Sequence, residues 1–401
     1  MEIAFIIIPI ETQAEQDEKI NEISSLTESA GAKVIGYKCV KINRIIPSTY
    51  IGKGKAEEIK ECCKRLEANL VIFDGDLTPS QTLNLSAALG DIKVIDRTTL
   101  ILDIFASRAR SSEGKVQVEL AQLKYIYPRL KGKGAALSRL GGGIGTRGPG
   151  ESKLESDRRH IRRRINFLEE RLNELEKRRL LQGDRRNKNG MLKVALVGYT
   201  NTGKSTLINA LTGSDVLAEN KLFATLDPTT KKLNLGEFTV LISDTVGFIK
   251  NIPTTLIEAF KSTLETAIDA DYVIVVCDAL TDWQMQLETT NLMLDELNSK
   301  SERLIVFNKC ESIEDFSAYP TDAIFISAKE ERGLDGLLVK IRSYFKQNYT
   351  KLTLKISYNN LSNFHSLNKY IEFAQFEYVN DGMIANIIVN NKNITKFDKF
   401  K

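Results

Sequence analysis

Residues 198–205 form a glycine-rich segment that follows a strongly apolar run and precedes a helical pattern. The spacing G-x-x-x-x-G-K-[ST] lets successive backbone N–H groups turn toward phosphate oxygens, and the helix that begins there adds a favourable dipole. Lys204 is expected to reach the β- and γ-phosphates of a nucleotide, and Ser205 is expected to hold Mg²⁺. The predicted nucleotide contacts of this segment are Gly198, Tyr199, Thr200, Asn201, Thr202, Gly203, Lys204 and Ser205.

Two segments downstream have the residue types that sense a third phosphate and complete a metal shell. Asp244 ends the next strongly apolar strand and is expected to approach Mg²⁺, directly or through water, while the Gly247 N–H senses the γ-phosphate. Residues 223–230 contain three threonines, Thr225, Thr229 and Thr230, one of which is needed to complete the Mg²⁺ shell. Spacing alone does not choose among the three. The strand end is predicted to contact nucleotide through Asp244, Thr245, Val246 and Gly247.

Two short motifs occupy the places where a guanine base is read, each directly after a strand. They are Asn308-Lys309-Cys310-Glu311 and Ser327-Ala328-Lys329. The fourth residue of the first motif is usually Asp, whose carboxylate accepts hydrogen bonds from guanine N1 and N2. Glu311 adds one methylene, so either the guanine preference is weakened or the loop shifts and the glutamate serves equally. Both interpretations stay open from the sequence.

The order and spacing of these five motifs resemble those of the translation-factor-related GTPases. Residues 223–227 together with residues 244–248 resemble specifically the HflX family within the Obg–HflX group. Upstream segments agree with this resemblance, which covers about residues 1–345: they lie at residues 52–58, 96–106, 113–123 and 141–151.

The resemblance implies a GTPase in which Thr225, rather than Thr229 or Thr230, is the second Mg²⁺ ligand beside Ser205. Lys204, Thr225 and Gly247 are then the residues that carry hydrolysis. The resemblance also implies binding to the large ribosomal subunit and splitting of stalled or idle ribosomes by means of the GTP cycle. Further nucleotide contacts are implied from Phe223, Ala224, Thr225, Leu226 and Asp227.

Two side chains near the phosphates bear on how fast GTP is hydrolysed. Many GTPases place a water-orienting Gln where this chain has Phe248, so a partner is expected to complete the site and intrinsic turnover to be slow. Phe248 could equally pack against switch residues, which is compatible with the same conclusion. Asn201 could coordinate K⁺, which in related GTPases takes the role of an arginine finger, or it could stabilise the loop by hydrogen bonds; both stay open.

The pattern of strands and helices divides the chain into four regions. Residues 1–110 predict a small parallel α/β domain, with strands at residues 3–8, 33–40 and 70–73. Residues 111–189 carry two apolar seams with near-heptad spacing, which predict an antiparallel helical hairpin with a glycine-rich tip loop at residues 131–150.

The remaining two regions predict a nucleotide-binding domain and a tail. Residues 190–348 alternate strands and helices as in a doubly wound sheet, and residues 349–401 predict a small α+β appendage with no assigned chemistry. The predicted fold class is therefore α/β: a P-loop GTPase domain with a small N-terminal α/β domain, a helical hairpin and a C-terminal appendage.

Composition limits the remaining function classes. Five cysteines without a CxxC pair argue against zinc ribbons and structural disulfides, and two histidines nearly exclude His-centred metal or acyl-transfer sites. No apolar run is long enough for a membrane span. We expect a cytoplasmic monomer that binds GTP and GDP, uses Mg²⁺ as cofactor, and has neither a DNA partner nor stable membrane insertion.

The uneven distribution of positive charge indicates an RNA partner. Residues 158–164 include five arginines on one arm of the hairpin, and basic residues recur in and near its tip. Such charge is usually a solvated helix face, but acidic residues are sparse between residues 120 and 150, which favours contact with RNA phosphates. Two rival hypotheses are an ATP-dependent RNA-remodelling enzyme with a second nucleotide site in the N-terminal domain, and a GTP-gated protein scaffold.

Overall fold

The structure is a computed structural model that describes residues 2–10, 16–130, 149–187, 192–214, 222–223, 229–250 and 267–400. Between residues 149 and 187, side chains are described for residues 157–175 and 177 only. The chain forms two compact units. The first comprises Met1–Asn173, Glu219–Asp227 and Asn251–Lys261, and the second comprises Glu174–Ala218, Pro228–Lys250 and Ser262–Lys401.

The first unit begins with a parallel four-stranded sheet in the order β2-β1-β3-β4. β1 is apolar almost throughout and lies inside the sheet, as expected of a parallel strand that is covered on both faces. Three of these strands were predicted from the sequence and are confirmed, whereas β4 was not predicted, since two of its four residues, Lys93 and Asp96, are charged. The elements are β1 (Ile3–Ile10), α1 (Gln16–Ser29), β2 (Lys33–Lys41), α2 (Lys53–Arg65), β3 (Leu70–Phe73), α3 (Pro79–Ala88), β4 (Lys93–Asp96) and α4 (Arg97–Arg108).

Two further helices follow in the region predicted as a hairpin, α5 (Ser112–Arg129) and α6 (Pro149–Asn187). They contact each other through the bidentate pair of Arg164 with Glu119, at 2.7 and 2.9 Å, and through the ion pair of Lys124 with Glu169. Leu168 of the predicted apolar seam is buried. Residues 131–148 of the predicted tip loop lie outside the described residues, and the loop prediction is wrong for Pro149 and Gly150, which begin α6.

The second unit contains a six-stranded sheet in the order β10-β9-β8-β5-β7-β6, in which only β6 runs antiparallel to its neighbour. All seven residues of the central strand β8 are buried. The chain continues from β5 toward β7 and β6 on one side of the sheet and then returns to β8 on the other side of β5. Sheets of this kind bind ligands at the carboxyl ends of the strands where the order reverses. The elements are β5 (Leu192–Val197), α7 (Lys204–Thr212), β6 (Thr230–Asn234), β7 (Thr239–Asp244), β8 (Tyr272–Asp278), α8 (Trp283–Glu296), β9 (Glu302–Asn308), β10 (Ile324–Phe325) and α9 (Leu334–Asn348).

The C-terminal appendage belongs to the same unit and is the predicted α+β type. Its antiparallel sheet has the order β11-β13-β12 and encloses a small core around Phe364 and Phe397. Tyr349 and Ile388 from this sheet join the apolar core of the six-stranded sheet. Its elements are β11 (Tyr349–Ser357), α10 (Leu361–His365), β12 (Ile371–Val379) and β13 (Gly382–Asn390). Among the described residues, none of the helices combines the length and apolarity that crossing a membrane requires.

Candidate functional site

The glycine-rich segment connects β5 to α7 at the carboxyl edge of the six-stranded sheet. Two of its glycines are required by their surroundings. A Cβ on Gly198, whose φ is +150°, would lie 2.1 Å from the Val276 carbonyl oxygen, and one on Gly203, whose φ is +87°, would lie 2.3 Å from Asn308 Nδ2. No side chain fits at either place, so the backbone is left free to approach a phosphate closely.

Lys204 is the first residue of α7 and is buried at the centre of this loop. Its ammonium group donates to the carbonyl oxygens of Gly198 at 3.1 Å and Tyr199 at 2.8 Å. Burial lowers the pKa of Lys204 to about 8, against the opposing influence of Asp244. A desolvated ammonium group at the N-terminus of a helix is well placed to attract phosphate oxygens.

This pKa predicts that nucleotide affinity falls in alkaline solution. Phosphates favour the charged ammonium, so binding raises the pKa of Lys204 above its value of about 8 in the free protein. Below pH 8 the group is already charged, whereas above it each binding event must take up a proton, which weakens affinity by up to about tenfold per pH unit. Calorimetry with GDP at pH 7 and pH 9 measures this, with Lys204→Ala as the control for every other titrating group. If the GDP affinity of the wild type changed between pH 7 and pH 9 by the same factor as that of Lys204→Ala, the assignment of Lys204 to the phosphates would be contradicted.

Ser205 and Asp244 bring two oxygen ligands together beside Lys204. The Ser205 hydroxyl donates to Asp244 Oδ2 at 2.6 Å, from the first turn of α7 to the end of β7. A hydroxyl and a carboxylate are the hard oxygen donors that Mg²⁺ prefers, so these two residues fit the predicted ion. Thr225, the other predicted ligand, lies outside the described residues, as do Ala224, Leu226 and Asp227.

The segment after β7 runs alongside the glycine-rich loop. Thr245 Oγ1 donates to the Leu196 carbonyl oxygen at 2.7 Å, while Phe248 N–H donates to Gly198 O at 3.0 Å and the Phe248 carbonyl oxygen accepts from Thr200 N–H at 2.8 Å. Phe248 is 1% exposed. The Phe248 side chain is therefore buried, and its backbone holds the segment after β7 to the glycine-rich loop.

Gly247 lies directly against the same loop. A Cβ at this position would be 2.8 Å from Thr200 Cα and 3.1 Å from the Lys204 ammonium nitrogen. Only glycine allows this approach, which brings the predicted γ-phosphate sensor and the predicted phosphate-binding cation together. Val246 is buried beside it. Tyr199 adds a contact that the sequence did not indicate, because its hydroxyl accepts from Lys250 N–H at 3.0 Å.

Asn308 joins the phosphate loop to the second base-reading motif. Its Nδ2 donates to the Thr202 carbonyl oxygen at 2.8 Å, and its Oδ1 accepts from the Ala328 N–H at 2.9 Å. Ser327 is buried next to Ala328, and its hydroxyl accepts from Glu330 N–H. The structure therefore brings together the phosphate loop and both predicted base motifs in one contiguous surface, with Lys329 exposed at its edge.

Lys309 and Glu311 have different environments in the first base motif. Lys309 has a positive φ of +66°, and its ammonium group pairs with Asp278 Oδ2 at 2.6 Å. Glu311 is exposed in the short 3-10 turn Cys310–Ser312, and Cys310 N–H is held by the Ile326 carbonyl oxygen. Asp278 was missed from the sequence. Its position at the carboxyl end of a wholly apolar strand could have identified it.

Phe223 belongs to the first compact unit, together with Leu222. Its ring is 2% exposed and packs edge-on against Phe105, with centroids 4.7 Å apart, and the Leu222 N–H donates to Ser29 Oγ. The Phe223 ring therefore makes an apolar packing contact within this unit. The described residues therefore give no support for the nucleotide contact predicted from the Phe223 side chain.

We predict that Glu311→Asp raises the preference for GTP over ATP. The shorter aspartate carboxylate can accept hydrogen bonds from guanine N1 and N2 in an extended conformation, whereas the longer glutamate must bend to do so. A gain of about three- to tenfold in the affinity ratio of GTP to ATP corresponds to one improved hydrogen bond. Competition binding against labelled GDP measures the ratio, and Glu311→Ala, which removes the carboxylate, should lower it. If the Asp variant gains no guanine preference, the exposed loop has already compensated for the extra methylene.

Comparisons with known proteins match GTPases along most of the chain. Family models match at residues 17–106, described as GTP-binding GTPase N-terminal, at residues 108–186, described as GTP-binding GTPase Middle Region, and at residues 193–309, described as 50S ribosome-binding GTPase. GTPase HflX of Caldanaerobacter subterraneus subsp. tengcongensis is 52% identical over 346 residues, covering 85% of this chain and 81% of its own. GTPase HflX of Lacrimispora saccharolytica is 44% identical over 395 residues, covering 96% and 93%. Among solved structures, a GTP-binding protein from Sulfolobus solfataricus in complex with GDP is 25% identical, with a TM-score of 0.47, covering 86% of this chain and 99% of that chain.

Proposed function

The chain belongs to the HflX family of GTPases and hydrolyses GTP, and from this premise we propose that it binds the large ribosomal subunit and splits stalled or idle ribosomes. GTP would favour the ribosome-bound state by ordering the loops that carry Thr225 and Gly247, and hydrolysis would release the protein. We place this cycle in the cytoplasm. The free state of all five cysteines is compatible with a reducing compartment.

The observation that carries the ribosomal proposal is the exposed basic face of α6. Arg159, Arg162 and Arg163 are exposed, and none of them forms an ion pair within the described part of the chain. Exposed guanidinium groups on a helix suit RNA phosphates, because each contact releases counterions.

Two other arginines of the same segment are used inside the protein. Arg164 is held by both carboxylate oxygens of Glu119, and the guanidinium group of Arg158 lies 5.5 Å from the ring centre of Tyr127. Within residues 158–164, these two side chains are therefore already engaged by the partner helix α5. The proposed RNA-binding surface of this segment therefore consists of Arg159, Arg162 and Arg163.

The chemistry at the nucleotide follows from the residues that surround the phosphates. Lys204 and the N–H groups of the loop bind the β- and γ-phosphates, and Gly247 meets the γ-phosphate. When bound at Ser205 and Thr225, Mg²⁺ supplies charge that stabilises the transferring phosphoryl group. Phe248 is buried and has no polar atom on its side chain, so it cannot orient the attacking water. Slow basal hydrolysis and completion of the site by a partner are expected.

Phosphate release measured with and without ribosomal subunits tests the proposed partner. We expect large subunits to increase the rate at least about tenfold, because a partner would supply the positioning and charge that Phe248 cannot. Small subunits at the same concentration are the control for general RNA effects. Equal rates with and without large subunits would reject the ribosome as activator.

The described residues at the carboxyl ends of β3 and β4 give no support to the rival hypothesis of a second nucleotide site in the N-terminal domain. The charged residues there bind each other: Arg97 pairs with Asp74 at 2.7 Å, and Arg129 pairs with Asp96 at 2.9 Å. Asp76 accepts from the Thr98 hydroxyl. Competition between ATP and GTP separates this hypothesis from ours, and RNase sensitivity of the partner complex separates the scaffold hypothesis.

We predict that the isolated protein hydrolyses GTP faster in K⁺ than in Na⁺ at equal ionic strength. Asn201 is exposed in the left-handed conformation, with φ of +62°, and its side chain makes no hydrogen bond to any described residue. The amide oxygen is therefore available for a monovalent cation beside the phosphates, where positive charge stabilises the transition state by about tenfold or more in rate. Asn201→Ala should remove the difference between the salts. Identical rates in K⁺ and Na⁺ for the wild type would reject the cation.

A further inference from the structure

We propose that Asp278 positions Lys309 against the guanine base, and that this residue outside the nucleotide motifs thereby sets the affinity for GTP and GDP. Asp278 and Lys309 follow neighbouring parallel strands, since Asp278 ends β8 opposite Asn308, the last residue of β9. The proposal rests on the assignment of Lys309 to the base and does not depend on the ribosomal partner.

The ion pair has a geometry that restrains the lysine strongly. Lys309 Nζ lies 2.6 Å from Asp278 Oδ2, and the two side chains are 29% and 11% exposed. The positive φ of Lys309 turns its backbone away from the strand direction. Exposed ion pairs contribute little because water screens them, but a mostly buried carboxylate loses much of that screening.

Asp278 is itself held in place from two sides. Its Oδ1 accepts from the Leu280 N–H at 3.0 Å, which leaves Oδ2 to Lys309. Its backbone N–H donates to Oε1 of the buried Gln286 at 2.9 Å, and the following Ala279 N–H donates to the Asn308 carbonyl oxygen. The carboxylate is therefore a fixed anchor, and both strand ends are tied together behind it.

A second contact fixes the turn that follows Asp278. The Tyr319 hydroxyl donates to the Ala279 carbonyl oxygen at 2.9 Å, and Trp283 stacks on the Tyr319 ring with centroids 5.5 Å apart. The loops on both sides of Lys309 are thus braced by aromatic packing. Trp283 is the only tryptophan of the chain, so its emission reports the state of this region.

The consequence for binding is preorganisation of a long side chain. Free lysine samples many rotamers, and the freedom that it gives up on contacting a base weakens binding. With its ammonium group anchored by Asp278, Lys309 has already given up that freedom, and its methylene stem is presented as an apolar surface. The effect should be the same for GDP and GTP, because it concerns the base and not the phosphates.

Asp278→Asn tests the proposal because asparagine keeps the oxygen that accepts from Leu280 N–H and replaces the charged acceptor of Lys309 with a neutral NH₂ group. We expect about tenfold weaker binding of both GDP and a non-hydrolysable GTP analogue, measured by calorimetry, with unchanged dependence on Mg²⁺. In a Lys309→Met background, which keeps the apolar stem without the charge, Asp278→Asn should have no further effect. The same loss in both backgrounds, or no loss in the wild-type background, would overturn the proposal.

Two comparisons keep the result interpretable. Asp282→Asn alters an exposed carboxylate in the same loop, which accepts from Met285 N–H, and should leave nucleotide affinity unchanged. Lys309→Met alone leaves the turn contacts of Asp278 intact and should reproduce the tenfold loss with normal Trp283 emission. A Lys309→Met protein of wild-type affinity would overturn the proposal even if Asp278→Asn fails to fold. Ribosomes are absent from these assays, so failure here and failure of the ribosomal proposal are distinguishable.

Discussion

Lys204→Ala is expected to weaken binding of GDP and of a GTP analogue by at least about a hundredfold, the order of magnitude for losing a buried charged hydrogen-bond donor. Lys204 is the buried cation nearest to Gly247, and its ammonium group lies among the loop carbonyl oxygens where phosphates are expected. Removing it deletes the charge and leaves the glycine-rich backbone in place. Calorimetry with both nucleotides measures the loss.

Ser205→Ala is the matched comparison for this variant, since Ser205 is the next residue of the same helix. It removes the hydroxyl that meets Asp244 but keeps the phosphate-binding cation. We expect it to lose chiefly the Mg²⁺-dependent part of the affinity. Unchanged affinity for both nucleotides in Lys204→Ala would show that the phosphate site is assigned to the wrong loop.

Shortening the tip loop at residues 141–148 is expected to abolish ribosome splitting while GTP binding by the isolated protein stays normal. None of these residues belongs to a nucleotide motif, and the glycines among them let the backbone approach RNA without Cβ clashes. The flanking helices α5 and α6 contact each other through the Arg164–Glu119 pair, which supports an arm that can present the loop. Subunit profiles on a density gradient, run beside a GTP-binding assay, measure both effects.

A second prediction concerns the arginines near the tip loop and the binding of ribosomal subunits. Replacing Arg159, Arg162 and Arg163 with alanine should weaken subunit binding and reduce the slope of log affinity against log salt by about one for each RNA phosphate that is no longer neutralised. Arg342→Ala, on an exposed position of α9, is the matched control and should change neither. A tip-shortened protein that still splits ribosomes at the normal rate would show that the arm is only a structural brace.

Local motifs made the backbone geometry of the glycine-rich loop predictable from the sequence. The run from Gly198 to Ser205 specifies backbone geometry through residues that no other type can replace, as the 2.1 Å approach of a Gly198 Cβ to Val276 O shows. Long apolar strands such as β8 were equally recognisable. Strands with few apolar residues were not: two of the four residues of β4 are charged, and β6 and β12 alternate too weakly to stand out.

Pairings between residues distant in sequence could not be read from patterns. The pairing of Asp278 with Lys309 depends on the register of β8 with β9, and the pairing of Arg164 with Glu119 depends on how two helices meet. Phe223 was assigned to the nucleotide by its place in a motif, whereas its burial against Phe105 is a property of the folded unit. Spacing specifies which residues are available, and tertiary packing decides which partner each one takes.

Co-sedimentation with purified ribosomal subunits tests the ribosomal proposal most directly. Wild-type protein would be centrifuged with large or small subunits in the presence of GDP, GTP or a non-hydrolysable GTP analogue. We predict that it sediments with large subunits in the analogue, is largely released in GDP, and shows no such dependence with small subunits. Equal sedimentation with large subunits in GDP and in the analogue, or none in either, would contradict a GTP cycle that controls ribosome binding.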